Sequence, residues 1–154
     1  MASSRSLDLA LLLARVPFGA YFVIAGYNKI AGPGVAGFIS MQIETARQFM
    51  PEPLAKAYLG ALPLVEVLVG LAIVLGIFVR ANAVITSLML ISFTMAVNGL
   101  ALNIARVTGD GPGEPFNKNV VFLGISLLLV VLGGGRVGLD RLLRASPVRP
   151  APVA

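Results

Sequence analysis

Four long apolar runs occupy most of this chain, at residues 7–29, 57–79, 81–104 and 118–134. A helix that crosses the hydrocarbon core of a bilayer needs about 20 apolar residues, with a range of roughly 17–25. All four runs fall in that range, the last at its short end. Hydrophobic residues make up 57% of the 154-residue chain and charged residues 12%, about half the charged fraction of a soluble domain. A chain this short could not bury so much apolar surface in water, so the runs predict four membrane-spanning helices.

The loop between the first two runs, residues 30–56, has a pattern of its own. Apolar residues recur near helical spacing between positions 35 and 50, while Glu44, Arg47 and Gln48 fall largely elsewhere. This predicts a short interfacial helix that lies on the bilayer or over the bundle, as a plain connector or as a lid over a pocket. The predicted fold is an all-α membrane protein, a four-transmembrane-helix bundle with a short interfacial helix in the first loop.

Basic residues beside the spans predict the orientation of the bundle. Six lie on the side of the termini and five on the other side, but those that follow the fourth run are dense and close to it. We therefore predict a multi-pass protein of the cell membrane with cytoplasmic N- and C-termini. Residues 1–144 form the predicted domain, and the Pro- and Ala-rich residues 145–154 a disordered tail. Despite the net charge of +5, nucleic acid is not an expected partner, because the basic residues adjoin apolar runs.

The chain contains no Cys and no His. This excludes disulfides, thiolate chemistry, iron–sulfur ligation by Cys and haem ligation by His. A zinc site would have to use carboxylates alone, which zinc sites in proteins rarely do. We therefore predict no metal and no intrinsic cofactor, and any proton chemistry falls to Glu, Asp, Lys or Tyr.

Glu66 is the only charged residue between positions 57 and 79. A charge near the middle of a membrane costs roughly 2.5–3.5 kcal/mol on insertion scales, so it usually faces the bundle interior and has a partner. Arg15 is the charge within the apolar body of the first run, and depths counted from the span ends separate the two by about 9 Å. The predicted Arg15–Glu66 pair either fixes helix register or binds a head group, with Glu66 exchanging a proton. A protonated Glu66 bonded to a backbone carbonyl is a further structural alternative.

Other polar and small residues are candidates to line the same centre. Ser87, Thr94 and Asn98 share one face of the third run. Such a stripe forms interhelical hydrogen bonds, worth about 0.6 kcal/mol each on average, or lines a pocket. Gly19 and Gly26 share the arginine's face of the first run, where they would let another helix or a flat ligand approach closely.

Three stretches, LLLARVPFGAYFVIAGYNKI, PLVEVLVGLAIVLGIFVRANA and the closing GGGRVGLD, carry motifs in a recognisable order. Together they resemble the DoxX family over nearly the whole chain. The matching residues are Arg15, Gly19, Gly26, Lys29, Glu66, Gly70, Leu71, Gly76, Arg80, Gly133, Gly135, Arg136, Leu139 and Asp140. Many members carry a His late in the third span, where this chain offers Asn98 or Asn103, so His-dependent chemistry is not expected here.

The resemblance implies a four-helix protein of the cell inner membrane that is part of a membrane redox system. Some members are similar to the small subunit of thiosulfate:quinone oxidoreductase. We therefore expect a subunit that binds a quinone or lipid near the buried pair. Its expected partners are membrane lipids, a redox protein that supplies electrons, and further copies of itself. Whether the chain is itself an enzyme stays open.

A structural or interaction protein is the alternative, in which the buried pair only fixes helix packing. A small transporter has less support, because no inverted repeat is evident. Asp140 could pair with Arg136 or Arg80 at the cytoplasmic edge, or belong to a surface cluster that fixes topology.

Overall fold

The computed structural model describes residues 4–98 and 118–140. Those residues form five α-helices and no strand. The helices are α1 (Ser4–Ala31), α2 (Gly34–Ala46), α3 (Glu52–Leu75), α4 (Val79–Asn98) and α5 (Lys118–Leu132). The predicted all-helical fold is confirmed for this part of the chain, whereas the predicted tail at 145–154 lies outside it.

The first two predicted spans correspond to α1 and α3. These two helices are long and apolar enough to cross a membrane, by length and composition. The apolar helices Val79–Thr94 and Lys118–Leu132 are shorter. At 1.5 Å per residue α5 is about 22 Å long, against a hydrocarbon core of about 30 Å. The count of four spans therefore stays a prediction, and the end of the third predicted run lies outside the described residues.

Helix α3 ends earlier than its apolar run. Gly76 takes a left-handed conformation, with φ of 74°, and the Ile77 N–H donates to Ala72 O at 2.8 Å. This pattern closes the last turn and satisfies carbonyls that the helix leaves open. The chain then turns through Phe78, which also has a positive φ of 43°, and enters α4 at once.

Helices α1 and α3 pack against each other in antiparallel directions and at very short range. A Cβ at Gly70 would lie only 2.6 Å from Gly19 O and 2.8 Å from the backbone nitrogen of Val23. Close approach of another helix, one of the two predicted reasons for Gly19 and Gly26, is therefore confirmed.

The other helices complete the bundle around this pair. Helix α5 packs along α4, and a buried aromatic cluster joins α1 to α5. In it, the ring centroid of Phe18 lies 5.2 Å from that of Phe22 and 5.9 Å from that of Phe122. Helix α2 packs mainly on α3 and confirms that the first loop contains a short helix. Its place at a bilayer surface stays a prediction.

Candidate functional site

Glu66, the solitary carboxylate of the second apolar run, is paired with Lys29 of α1. Both carboxylate oxygens accept hydrogen bonds from the Lys29 ammonium. The side chain of Glu66 is 1% exposed and that of Lys29 is 25% exposed. The buried carboxylate is thus compensated by a cation that still reaches the surface, as a charge inside a helical bundle requires.

The predicted pairing of Glu66 with Arg15 is wrong. The Arg15 guanidinium instead donates to Gly134 O at 3.0 Å and to Val137 O, both in the segment that follows α5. These carbonyls lie at the end of the bundle where α3 finishes. The structure therefore separates the two charges that the sequence brings together.

The register between α1 and α3 explains the error. A Cβ at Gly26 would meet Pro63 O and the Cβ of Glu66, so Gly26 lies level with the glutamate. Lys29 is only three residues further along α1, within reach of a lysine side chain. Arg15 is eleven residues away in the other direction, or about 16 Å along the axis. Counting depths from the span ends fails because α1 continues well past the end of α3.

Lys29 opens onto a cleft of about 500 Å³, here named the Lys29 cleft. The Lys29 Nζ lies 5.5 Å from the ring centroid of Phe38 on α2 and 5.5 Å from that of Phe93 on α4. An ammonium at such a distance from the face of an aromatic ring is attracted by it. The other lining residues are Gln42, Thr45, Ala46, Phe49, Met50, Tyr58, Leu59, Leu62, Ser92, Lys118 and Asn119.

The Lys29 cleft offers both a hydrogen-bond donor and an acceptor. An ammonium has three N–H donors, and two of those of Lys29 serve Glu66, so a third can serve a ligand. Tyr58 Oη lies 2.6 Å from Ser92 Oγ, and Ser92 donates its hydroxyl proton to Met89 O at 2.8 Å. Tyr58 must therefore donate to Ser92, which leaves the phenolic oxygen as an acceptor at the cleft wall.

The residues described contain no group of three His, Cys, Asp or Glu side chains that could hold a metal ion. The Lys29 cleft is a largely apolar, aromatic slot, with the ammonium of Lys29 between two phenyl rings and Lys118 as a second basic residue in its lining. It suits a flat or extended amphiphile with oxygen atoms at one end.

Arg15 belongs to the opposite end of the bundle, where glycines surround it. Its residue is 3% exposed, and its Nε is buried with no hydrogen-bond partner in the part of the chain that the structure describes. A Cβ on Gly134 or on Gly138 would lie 2.9 Å or 3.0 Å from its Nη1. Side chains there would displace the guanidinium, so these two glycines make room for it.

Two aspartates fasten the same end. Asp140 Oδ1 accepts a hydrogen bond from the Phe78 N–H at 2.8 Å, just before α4. Asp8 Oδ1 accepts one from the Arg136 N–H at 2.9 Å. Within residues 4–98 and 118–140, no ion pair joins Asp140 to Arg136 or to Arg80. The suggested pairing is therefore replaced by a capping contact, since α4 starts with unsatisfied N–H groups.

Of the other predicted polar site residues, Ser87 and Thr94 do not converge on Glu66. Ser87 Oγ donates to Ser126 Oγ at 2.9 Å, which gives an interhelical hydrogen bond between α4 and α5. Thr94 Oγ1 donates to Leu90 O of its own helix at 2.8 Å. The side chain of Asn98 lies outside the described residues. That these groups and Gly19 bind a ligand stays a prediction.

Sequence reasoning misses Lys29 as the partner of Glu66, although a signal is present. Lys29 follows Gly26 by one helical turn, and small residues mark the face of α1 that meets α3. A lysine one turn beyond the last of them can reach back toward a carboxylate on α3. Phe38 and Phe93 carry no comparable signal, because each lies in an apolar helix of many similar residues.

Comparisons with known proteins bear on the same part of the chain. The DoxX family model matches residues 10–99, a range that includes Lys29 and Glu66. Over 135 residues the chain is 32% identical to the inner membrane protein YphA of Escherichia coli (strain K12). The aligned residues cover 85% of this chain and 88% of YphA. No solved structure matches the chain.

Proposed function

The chain belongs to the DoxX family and is a membrane protein, and from that premise we propose that it binds a quinone or a lipid in the Lys29 cleft as a subunit of a membrane redox system. In this proposal it is a four-span protein of the inner membrane with both termini in the cytoplasm. Electrons come from a partner protein, because the chain has no Cys and no His to carry them.

The position of the Lys29 ammonium is the observation that carries the proposal. It lies between the rings of Phe38 and Phe93, 5.5 Å from each centroid, and opens onto a cleft of about 500 Å³. Ligand sites of roughly 300–1,000 Å³ with apolar walls and a few convergent polar groups are the usual form for small molecules. A quinone ring could lie against the phenyl rings while its carbonyl oxygen accepts from Lys29.

In this proposal Glu66 takes part in proton exchange through Lys29, to which both of its oxygens are bonded. The carboxylate is shielded from solvent and touches the cleft only through the ammonium. When a partner delivers two electrons to a bound quinone, two protons are needed to form the quinol. Lys29 can pass one proton to the nearer quinone oxygen and is then reprotonated by solvent through the mouth of the cleft. The second proton reaches the other quinone oxygen directly from solvent.

Helix α2 is suited to control entry. It supplies Phe38 and Gln42 to the cleft wall, and its C-terminal end is tied to α3 by Arg47. That guanidinium lies 3.2 Å from Glu44 and 3.7 Å from Glu52. Exposed ion pairs of this kind contribute about 0–1 kcal/mol, so α2 is held mainly by the apolar packing of its buried residues Phe38 and Ala46. The position of α2 at the cleft wall is what supports a lid in this proposal.

A structural role for the buried pair is the second candidate, and one observation favours it. Both oxygens of Glu66 already bind Lys29, so the carboxylate is satisfied without any ligand. If the buried pair serves only to fix helix packing, the chain is an anchor or interaction protein. A quinone should then have no effect on its stability.

Ligand-induced stabilisation separates the two candidates. Purified protein in detergent micelles is unfolded by heat with and without a short-chain ubiquinone analogue, and the helical circular dichroism signal is followed. A ligand at one hundred times its Kd adds about 2.7 kcal/mol to the folded state. We expect the unfolding temperature of the wild type to rise with quinone concentration.

Two phenylalanines provide matched variants for this assay. Phe93→Leu changes the cleft wall, whereas Phe122→Leu changes the aromatic cluster that joins α1 to α5 and does not line the cleft. The quinone effect should shrink in the first variant and persist in the second. No shift in the wild type, or equal loss in both variants, would reject the quinone site and favour the structural candidate.

A further inference from the structure

A second cleft, of about 860 Å³, lies at the opposite end of the bundle, where α4 begins and α5 ends. Arg80 enters it from the first turn of α4, and Arg136 from the glycine-rich segment after α5. We propose that this cleft, here named the arginine cleft, binds the phosphate group of an anionic phospholipid. The inference is independent of the function proposed for the Lys29 cleft, which faces the other end of α1.

The charges at the arginine cleft favour an anion. Arg80 and Arg136 line it together with one carboxylate, Asp140, which is engaged by the Phe78 N–H. Arg15 lies just behind the wall and donates to Gly134 O. Arginine presents several N–H donors in a planar fork that matches phosphate oxygens in a bidentate manner.

Each arginine is positioned by a contact that leaves donors for a ligand. Arg80 Nη2 donates to Val131 O at 3.2 Å, which uses one of five guanidinium N–H groups. Arg136 is held through its backbone, because its N–H donates to Asp8 Oδ1 at 2.9 Å. That contact does not involve the Arg136 guanidinium, so the side chain can turn toward an anion between the two helices.

The wall between the arginines is backbone without side chains. Gly133 and Gly135 have φ values of 75° and 71°, a left-handed conformation that glycine adopts without cost. A Cβ at Gly133 would lie 3.2 Å from Arg80 Nε. The two glycines thus let the segment turn sharply, and they keep the space beside the guanidinium open for a head group.

Apolar side chains beside the arginines identify the anion as a lipid rather than a soluble ion. Phe78 lines the cleft and is 63% exposed, and Leu132 lines it and is 40% exposed. Both adjoin the ends of apolar helices in a membrane protein, and in the proposed four-span arrangement those ends would lie where head groups meet acyl chains. Basic pockets between membrane helices are known sites for anionic head groups, and the exposed phenyl and leucyl groups would contact the first carbons of the acyl chain.

Native mass spectrometry with defined lipids tests the proposal. The full-length protein in detergent is mixed with phosphatidylglycerol or with phosphatidylcholine of the same chains, and the bound fraction is measured. We expect one retained phosphatidylglycerol per chain and weaker retention of phosphatidylcholine. Arg136→Gln should lower retention of phosphatidylglycerol about fivefold, as expected for one basic residue near a lipid charge. Arg47→Gln, at the other end of the bundle, is the matched control and should retain the lipid as the wild type does.

Two further experiments test whether the bound anion is a lipid or free phosphate, and whether the variant protein is folded. Inorganic phosphate at millimolar concentration should not displace the lipid, and displacement would mean that the cleft recognises a free anion. If Arg136→Gln does not fold, as judged by its circular dichroism, Arg136→Lys takes its place, with an expected partial loss because lysine lacks the planar fork. Equal retention of both lipids, or unchanged retention in the Arg136 variants, would overturn the proposal.

Discussion

Removal of the Lys29–Glu66 pair, one side chain at a time and then both, gives the sharpest prediction for this fold. The variants are Lys29→Met, Glu66→Gln and the double substitution. Methionine keeps the length and apolar stem of the lysine, and glutamine keeps the shape of the glutamate. The changes therefore remove charge while they disturb packing little.

The exposures of the two side chains predict unequal costs. Lys29→Met leaves a carboxylate that is 1% exposed without its cation, and loss of one partner of a buried pair costs about 3–5 kcal/mol. Glu66→Gln leaves an ammonium that is 25% exposed and can turn toward water in the cleft, so we expect about 1–3 kcal/mol. The double variant has no unpaired charge and should be more stable than Lys29→Met. The coupling energy of the two substitutions should therefore exceed the cost of Glu66→Gln alone, about 1–3 kcal/mol.

Unfolding in detergent micelles, titrated with sodium dodecyl sulfate and followed by circular dichroism, measures these free energies. A control double-mutant cycle combines Glu66→Gln with Arg15→Met. Glu66 lies level with Gly26, about 16 Å from Arg15 measured along the axis of α1. Effects of substitutions more than about 7–10 Å apart usually add within about 0.5 kcal/mol. Additivity in the Lys29 cycle together with strong coupling in the Arg15 cycle would refute the pairing described here.

Three further predictions concern packing and capping. Gly26→Ala should destabilise the fold by about 1–3 kcal/mol, because the new Cβ would meet α3. Gly124→Ala is the control and should not measurably lower stability, because its Cβ would meet open space. Thermal unfolding of the two variants compares them. Asp140→Ala should lower the free energy of unfolding by about 1 kcal/mol, because the Phe78 N–H loses its acceptor. The unfolding temperature should fall in this variant and return close to the wild-type value in Asp140→Asn. Ser126→Ala should lower the free energy of unfolding by about 1–3 kcal/mol, because the Ser126 hydroxyl donates to Ala83 O and accepts from the Ser87 hydroxyl. An unchanged unfolding midpoint would show that these hydrogen bonds make no net contribution to stability.

The helices and their contact faces could be predicted from the sequence. Apolar runs at 7–29 and 57–79 lie within α1 and α3 for most of their length, because a run of that length and hydropathy has few alternatives to a helix. Gly19 and Gly26 mark the face of α1 that meets α3, since only small residues allow backbones so close together. The resemblance to the DoxX family is confirmed over residues 10–99.

The partner of Glu66 could not be predicted in the same way. Pairing depends on the register between helices, and register depends on how far each helix extends past the other. Helix α1 begins at Ser4 and runs beyond the end of α3, where its arginine is bound by the segment that follows α5. Those contacts join parts of the chain more than a hundred residues apart, which no local pattern specifies.

The Lys29 cleft is likewise a product of tertiary structure. All five helices contribute to its lining, among them α1 with Lys29, α2 with Phe38, α3 with Tyr58, α4 with Phe93 and α5 with Lys118. The sequence predicts a helix in the first loop and leaves open whether it covers a pocket. Only the packing of α2 against α3 brings Phe38 within reach of Lys29.

The central claim is that the Lys29 cleft is a ligand site. The most direct test is to identify the molecules that co-purify with the protein. Native mass spectrometry of the wild type and of the Lys29→Met/Glu66→Gln double variant, with extraction and identification of bound molecules, compares two folded proteins that differ in the cleft. We predict one quinone or lipid per wild-type chain in addition to any phospholipid at the arginine cleft, and loss of that molecule alone in the double variant. A wild-type cleft without such a molecule, or the same molecule retained in the double variant, would contradict a binding site at Lys29 and make the buried pair a structural feature of the bundle.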